Sequence, residues 1–158
     1  MDFSLLLSSY ATVWSNPEVL LMTFIGALGG VLLGAIPGMT ATMGVALLIP
    51  FSFGMDLIPS IGLLLGIYCG GMYGGSISAI TLNTPGTNSA IATTFDGYPL
   101  AKKGKVKKAL DTSLFASVFG GLFSAVLLLL CASLITKLVA NFTSVEYFSL
   151  GIMGISLI

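Results

Sequence analysis

The residues best suited to chemistry in this chain are neutral. They are Asn83, Thr84, Thr87, Asn88 and Ser89 around Pro85-Gly86, and Thr40 and Thr42 after Pro37-Gly38. Each set interrupts a long apolar run, freeing backbone groups that a continuous helix would pair internally. In hydrocarbon such groups survive only where protein covers them or where they line a watery cavity. Freed carbonyls and hydroxyls suit a hard monovalent cation such as Na⁺, and the N-terminus of a restarted half-helix suits an anionic group. Those are the two demands on a cation-coupled carrier of carboxylates, and interrupted helices point to transporter binding sites. The expected substrate- or ion-binding set is therefore Pro37, Gly38, Thr40, Thr42, Asn83, Thr84, Pro85, Gly86, Thr87, Asn88 and Ser89. Weighed against it is a bland reading, in which Pro-Gly kinks packed helices and the hydroxyls satisfy backbone groups.

Other chemistries find little footing. The chain has no histidine and no arginine, which removes Ser-His and Cys-His nucleophile pairs, HExxH zinc sites and haem-ligating histidines. No GxxxxGK[ST] phosphate loop is present, no cofactor is implied, and the chain reads as non-enzymatic. An intramembrane enzyme would need a paired-aspartate motif, and none is convincing. The acids have structural readings: Asp2 is terminal, Glu18 lies in a first turn, Asp56 is a cap, Asp111 opens a helix and Glu146 completes a capping box. Asp96, nearest the second break, is held as a further site candidate. Cys69 and Cys131 each sit inside an apolar run and read as buried small residues rather than a disulfide or metal pair.

The elements that must position the neutral set belong to a membrane protein. Hydrophobic residues make up 56% of the 158 and charged residues only 8%, against about 25% charged in an ordinary soluble domain. Mean hydropathy is +1.05. Net charge is zero, and no basic tract points to nucleic acid. The fold class is an all-α integral membrane protein, with glycine-laddered transmembrane helices and two Pro-Gly broken, re-entrant segments.

In order, residues 1–15 form an interfacial helix, with Phe3, Leu6, Leu7, Tyr10, Val13 and Trp14 on one stripe. Asn16-Pro17-Glu18 is a helix start. Residues 19–53 form a first helix, break and half-helix, its helix carrying Gly26, Gly30 and Gly34. Residues 57–99 form a second such unit, carrying Gly62, Gly66, Gly70, Gly74 and Ser78. Glycine every fourth residue makes a flat face for close helix packing. The two breaks align as IPGMTATMG and TPGTNSAIA, a weak internal repeat of the kind transporters carry. Asp96-Gly97-Tyr98-Pro99 reads as a turn. Residues 100–108 form a basic loop holding five of the six lysines, which marks the cytoplasmic face. Residues 109–137 are a further transmembrane helix. Residues 145–158 read as the start of a truncated one, after Thr143-Ser144-Val145-Glu146 as a capping box. The whole reads as one transmembrane domain, cut off inside that last helix.

Two stretches, GALGGVLLGAIPGMTATMGVALLIPFSFGM and YGGSISAITLNTPGTNSAIATTFDGYPLAKKGK, resemble the N-terminal part of the large membrane subunit of tripartite tricarboxylate transporters, the TctA family. The resemblance covers roughly residues 17–156. It implies a multi-pass permease of the bacterial inner membrane that imports tricarboxylate-like organic anions by symport with Na⁺ or H⁺. It also implies two partners, a small membrane subunit and a periplasmic solute-binding protein. The rival reading of the same glycine ladders is a passive channel or a purely structural membrane subunit.

Overall fold

The structure is a computed structural model that describes residues 3–140 and 142–156. Asp2 and the last two residues of the expected segment 145–158 lie outside the described residues, as do the side chains of Phe3 and Leu6. Every regular element among the described residues is helical. They are α1 (Phe3–Ser15), α2 (Pro17–Gly34), α3 (Ala41–Ser52), α4 (Leu57–Leu82), a 3₁₀ turn (Asn88–Ala90), α5 (Ile91–Lys102), α6 (Val106–Val139) and α7 (Ser144–Ser156). Three stretches are long and apolar enough to cross a membrane: Pro17–Gly34, Leu57–Leu82 and Val106–Ala132. Where the sequence reads as one domain, the packing gathers into two compact units, Met1–Ala116 and Ser117–Ile158. Residues 117–156 of the second unit are almost wholly exposed apolar helix where side chains are described, a surface made for lipid or protein rather than water.

The first unit is built on a seam between α2 and α4. A Cβ placed on Gly26, Gly30 or Gly34 would collide with the carbonyl of Leu63, Ile67 or Gly71 in turn. From the other side, Cβ atoms on Gly66, Gly70 and Gly74 would run into the backbones of Thr23, Ala27 and Val31. The contacts advance by four residues on both helices together, so α2 and α4 run parallel. Each ladder is flat because the other helix's backbone occupies the space a side chain would take. Ile67, Ile80 and Ser78 are the largest fully buried side chains of α4, and Ser78 Oγ donates back to Gly75 O at 3.1 Å.

Two parallel spans need a chain that comes back between them, and α3 is that return. Ala41 packs on Gly71 and Gly44 on Ile67, so α3 runs antiparallel to α4. At 12 residues it covers about 18 Å at 1.5 Å per residue, and irregular segments at both ends supply the rest. Gly38, at φ +87°, makes the turn into α3 in a conformation open to glycine.

The second break takes a different path. α4 ends at Asn83, which holds the left-handed conformation at φ 59°. The chain then descends beside α4 until Gly86 and Thr87 pack on Gly75. From there α5 climbs again, since a Cβ on Gly97 would stand 2.7 Å from Ile80 Cγ1. The segment is re-entrant, and α5 runs parallel to α4. The two sequence-similar units therefore do not follow the same route: α3 crosses back, whereas α5 returns to the end it came from.

Local expectations fare unevenly. Asn16 caps α2 by accepting from Glu18 N at 3.1 Å. Glu146 accepts from the N-cap amide of Thr143 at 2.7 Å, one half of a capping box. Asp56 takes the N-cap position of α4, yet its carboxylate makes no cap bond. Asp96-Gly97-Tyr98-Pro99 is not a turn but the middle of α5; close packing of Gly97 on Ile80 overrides the local preference. The basic loop of 100–108 contracts to the few residues between Lys102 and Val106, its flanks being helical. Cys69 and Cys131 are free and exposed rather than buried. On α1 the described stripe residues Leu7, Tyr10, Val13 and Trp14 are all exposed.

Candidate functional site

The two breaks meet. A cavity of about 180 Å³ is lined by Thr40, Ala41 and Thr42 from the first, by Thr87, Asn88 and Ser89 from the second, and by Tyr68 and Met72 of α4. Tyr68 and Met72 flank the midpoint of Leu57–Leu82, so the cavity lies halfway along the longest helix of the first unit. No charged side chain lines it.

Each wall is assembled by short-range rules. Thr40 is the N-cap of α3, its hydroxyl accepting from Met43 N at 3.3 Å and meeting Thr42 Oγ1 at 2.8 Å. Thr87 precedes the 3₁₀ turn in an extended conformation and accepts from Ala90 N at 3.0 Å through its carbonyl. Its hydroxyl meets Ser89 Oγ at 3.1 Å, and Ser89 Oγ donates to Met72 Sδ at 3.7 Å. Thr87 is only 6% exposed, because it is pressed onto Gly75. Gly86 N donates to Gly75 O at 3.4 Å, which ties the descending segment to α4. The first-turn amides of Ala41 and Thr42 lack intrahelical acceptors by position, and the N-terminus of α3 carries roughly half a positive charge. The arrangement offers neutral donors and acceptors midway along a helix of spanning length, under a modest positive field.

Five of the expected site residues, Thr40, Thr42, Thr87, Asn88 and Ser89, line this cavity. Pro37, Gly38, Asn83, Thr84 and Pro85 are exposed and lie outside its lining. Gly86 is buried, but as a spacer between α4 and the carbonyl of Gly34. Asp96 is exposed on α5 and is not part of the lining. Sequence reasoning missed Tyr68 and Met72. Their spacing of four on one face of a mid-span helix was the available signal. A second lay in Gly71 and Gly75, which fall off the every-fourth ladder and receive Ala41 and Thr87.

Apolar helices of spanning length, two interrupted segments and a polar cavity at mid-helix define a multi-pass membrane protein built on the plan of a transporter. The sequence comparisons agree and are more specific. Residues 20–158 match the tripartite tricarboxylate transporter TctA family, and the chain belongs to it. The chain is thus a component of a membrane transporter whose family works with partner subunits. It is 37% identical over 140 residues to an uncharacterized 52.8 kDa protein in the TAR-I ttuC′ 3′ region of Agrobacterium vitis. That match takes in 89% of this chain and 28% of the relative, so the chain spans well under half of the protein it resembles. No solved structure matches it.

Proposed function

We propose that the chain is part of a secondary carrier of the bacterial inner membrane. It would import small organic carboxylates by coupling to a cation gradient, with a small membrane subunit and a periplasmic solute-binding protein as partners. The carboxylate occupies the cavity between Thr40–Thr42 and Thr87–Ser89. The observation that supports this best is the meeting of both breaks at one cavity halfway along α4, lined by hydroxyls and an amide without a fixed charge. A substrate anion there needs a counter-charge beyond the α3 N-terminus. A co-transported cation such as Na⁺, held by hydroxyls and carbonyls, supplies it.

The test is uptake of labelled carboxylates into proteoliposomes holding the full-length protein and its partner subunits, under an imposed Na⁺ or pH gradient. Accumulation above the outside concentration, driven by Na⁺, is the expected result. Asn88→Ala and Thr87→Ala should each lower uptake, because a buried partner left unpaired costs about 1–3 kcal/mol, up to roughly a hundredfold in binding. Thr87→Ser, which keeps the hydroxyl, should retain most of it, and Thr112→Ala on α6 should be silent. Equilibration without accumulation would make the protein a passive channel. Uptake driven by pH alone and indifferent to Asn88→Ala would move the site elsewhere.

A further inference from the structure

The lysine-rich turn between α5 and α6 is more ordered than a topology signal requires. Lys105 N donates to Leu100 O at 3.2 Å and Gly104 N to Ala101 O at 2.9 Å. This nested pair closes α5 as a Schellman motif, with Gly104 in the left-handed position at φ +74°. α6 starts at the next residue, its Ala109 N donating to Lys105 O at 3.1 Å. Lys102, Lys103, Lys105, Lys107 and Lys108 are thereby fixed to one tight corner, and all of them are exposed. Among the described residues none of them forms an ion pair. Lys102 Nζ lies 4.9 Å from the centre of the Tyr98 ring, a cation–π contact that holds its ammonium in place. The only carboxylates on α5 and α6 are Asp96 and Asp111. Asp111 follows Lys107 by four residues, on the same stripe of α6. The neighbouring stripe carries Lys108, Thr112 and Phe115, with no acid. Phe115 is 66% exposed and lies within the membrane-crossing stretch Val106–Ala132. Seven residues separate it from Lys108, about 10 Å along the helix at 1.5 Å per residue.

We propose that this corner binds an anionic phospholipid, its phosphate among the lysines and an acyl chain along the Lys108–Phe115 stripe of α6. Clustered lysines beside a membrane helix attract anionic headgroups. Their long flexible stems let several ammonium groups meet one phosphate. Asp111 repels the phosphate from the Lys107 stripe and so favours the Lys108 side. The exposed Phe115 decides between a lipid and a soluble phosphate. A free phosphate ends at the ammonium groups, whereas a lipid continues onto apolar surface two helical turns further along. A topology signal needs the charges alone, and neither the closed corner nor the Tyr98 contact would serve it.

The experiment titrates the full-length protein, in a neutral detergent, with phosphatidylglycerol or with phosphatidylcholine of the same acyl chains. Native mass spectrometry counts the lipids bound. Phosphatidylglycerol should bind at least ~10-fold tighter, since each lysine near an anionic surface contributes roughly fivefold. Lys102→Gln, Lys105→Gln and Lys108→Gln combined should cut that preference below ~3-fold, and arginine at the same three positions should keep it. Lys137→Gln, near the other end of α6, should leave it unchanged. Phe115→Ala should weaken phosphatidylglycerol by ~3-fold or more through lost packing on the chain. Glycerol phosphate, the soluble headgroup, should fail to displace the lipid even in large excess. Melting midpoints of every variant separate a lost contact from a lost fold. Equal binding of the two lipids, or a preference that survives the triple glutamine variant, overturns the site. So does a loss as large in Lys137→Gln, or an affinity indifferent to Phe115→Ala. Displacement by glycerol phosphate would assign the corner to a soluble phosphate instead and overturn the lipid. Nothing in this test depends on what the cavity carries, so its failure leaves the carrier reading standing.

Discussion

Thr87 lies directly on Gly75. A Cβ on that glycine would stand 2.6 Å from Thr87 Oγ1 and 2.9 Å from both its Cγ2 and its backbone nitrogen. No side chain fits between them, so the depth to which the second break descends is set by one hydrogen atom on α4. Gly75→Ala should push Thr87 off the cavity wall, at a cost of about 1–3 kcal/mol for an overpacked contact, and lower uptake strongly. Gly29→Ala, where nothing lies within 4 Å, should leave uptake unchanged. Comparable uptake in the two variants would show that Thr87 is not held by this contact.

The α2–α4 seam predicts a second asymmetry. Gly70→Leu drives a side chain into the backbone of Ala27 and Val31, so helix separation should lower the yield of folded protein. Leu65→Ala, on the 58% exposed side of α4, should be tolerated. Leu63 is no such control, since it is buried against α2 at 6% exposure. Size-exclusion profiles and melting curves in detergent measure both. Equal stability of the two variants would place the glycines toward lipid.

Asn83 ends α4 at φ 59° and ψ 22°, where a branched side chain costs roughly 1–2 kcal/mol. Asn83→Gly should therefore match the wild type in thermal stability. Asn83→Val should melt lower, and a Val variant as stable as the Gly variant would show that the turn relaxes freely.

The re-entrant path makes a linked pair of topology predictions. Because α5 rises parallel to α4, the lysine-rich turn at 103–105 lies past the α4 C-terminus, while Gly54 lies at the opposite end. Clustered lysines favour the cytoplasmic face. With Cys69 and Cys131 replaced, Lys105→Cys should resist an impermeant thiol reagent in intact cells, and Gly54→Cys should react. Labelling in the reverse order would invert the protein in the membrane.

Much of this architecture is written in short-range chemistry. Proline lacks an N–H, so Pro37 and Pro85 interrupt the backbone ladder, and Gly38 takes φ +87°, a conformation open to glycine. Asn16 caps α2 through a neighbour two residues away, and glycine every fourth residue marks a face before its partner is known. These rules act over three or four residues, and sequence order displays them. Tertiary structure alone decided which glycine face met which backbone. It held Asp96-Gly97-Tyr98-Pro99 helical through the contact of Gly97 with Ile80. It also sent α3 back across α4 while turning α5 around beside it. The cavity depends on that path, for Thr40 and Thr42 come near Thr87 and Ser89 only because Ala41 seats on Gly71 and Thr87 on Gly75. Those two contacts join residues far apart in the chain, and their register is set by backbone shape across the seam, which no local pattern encodes.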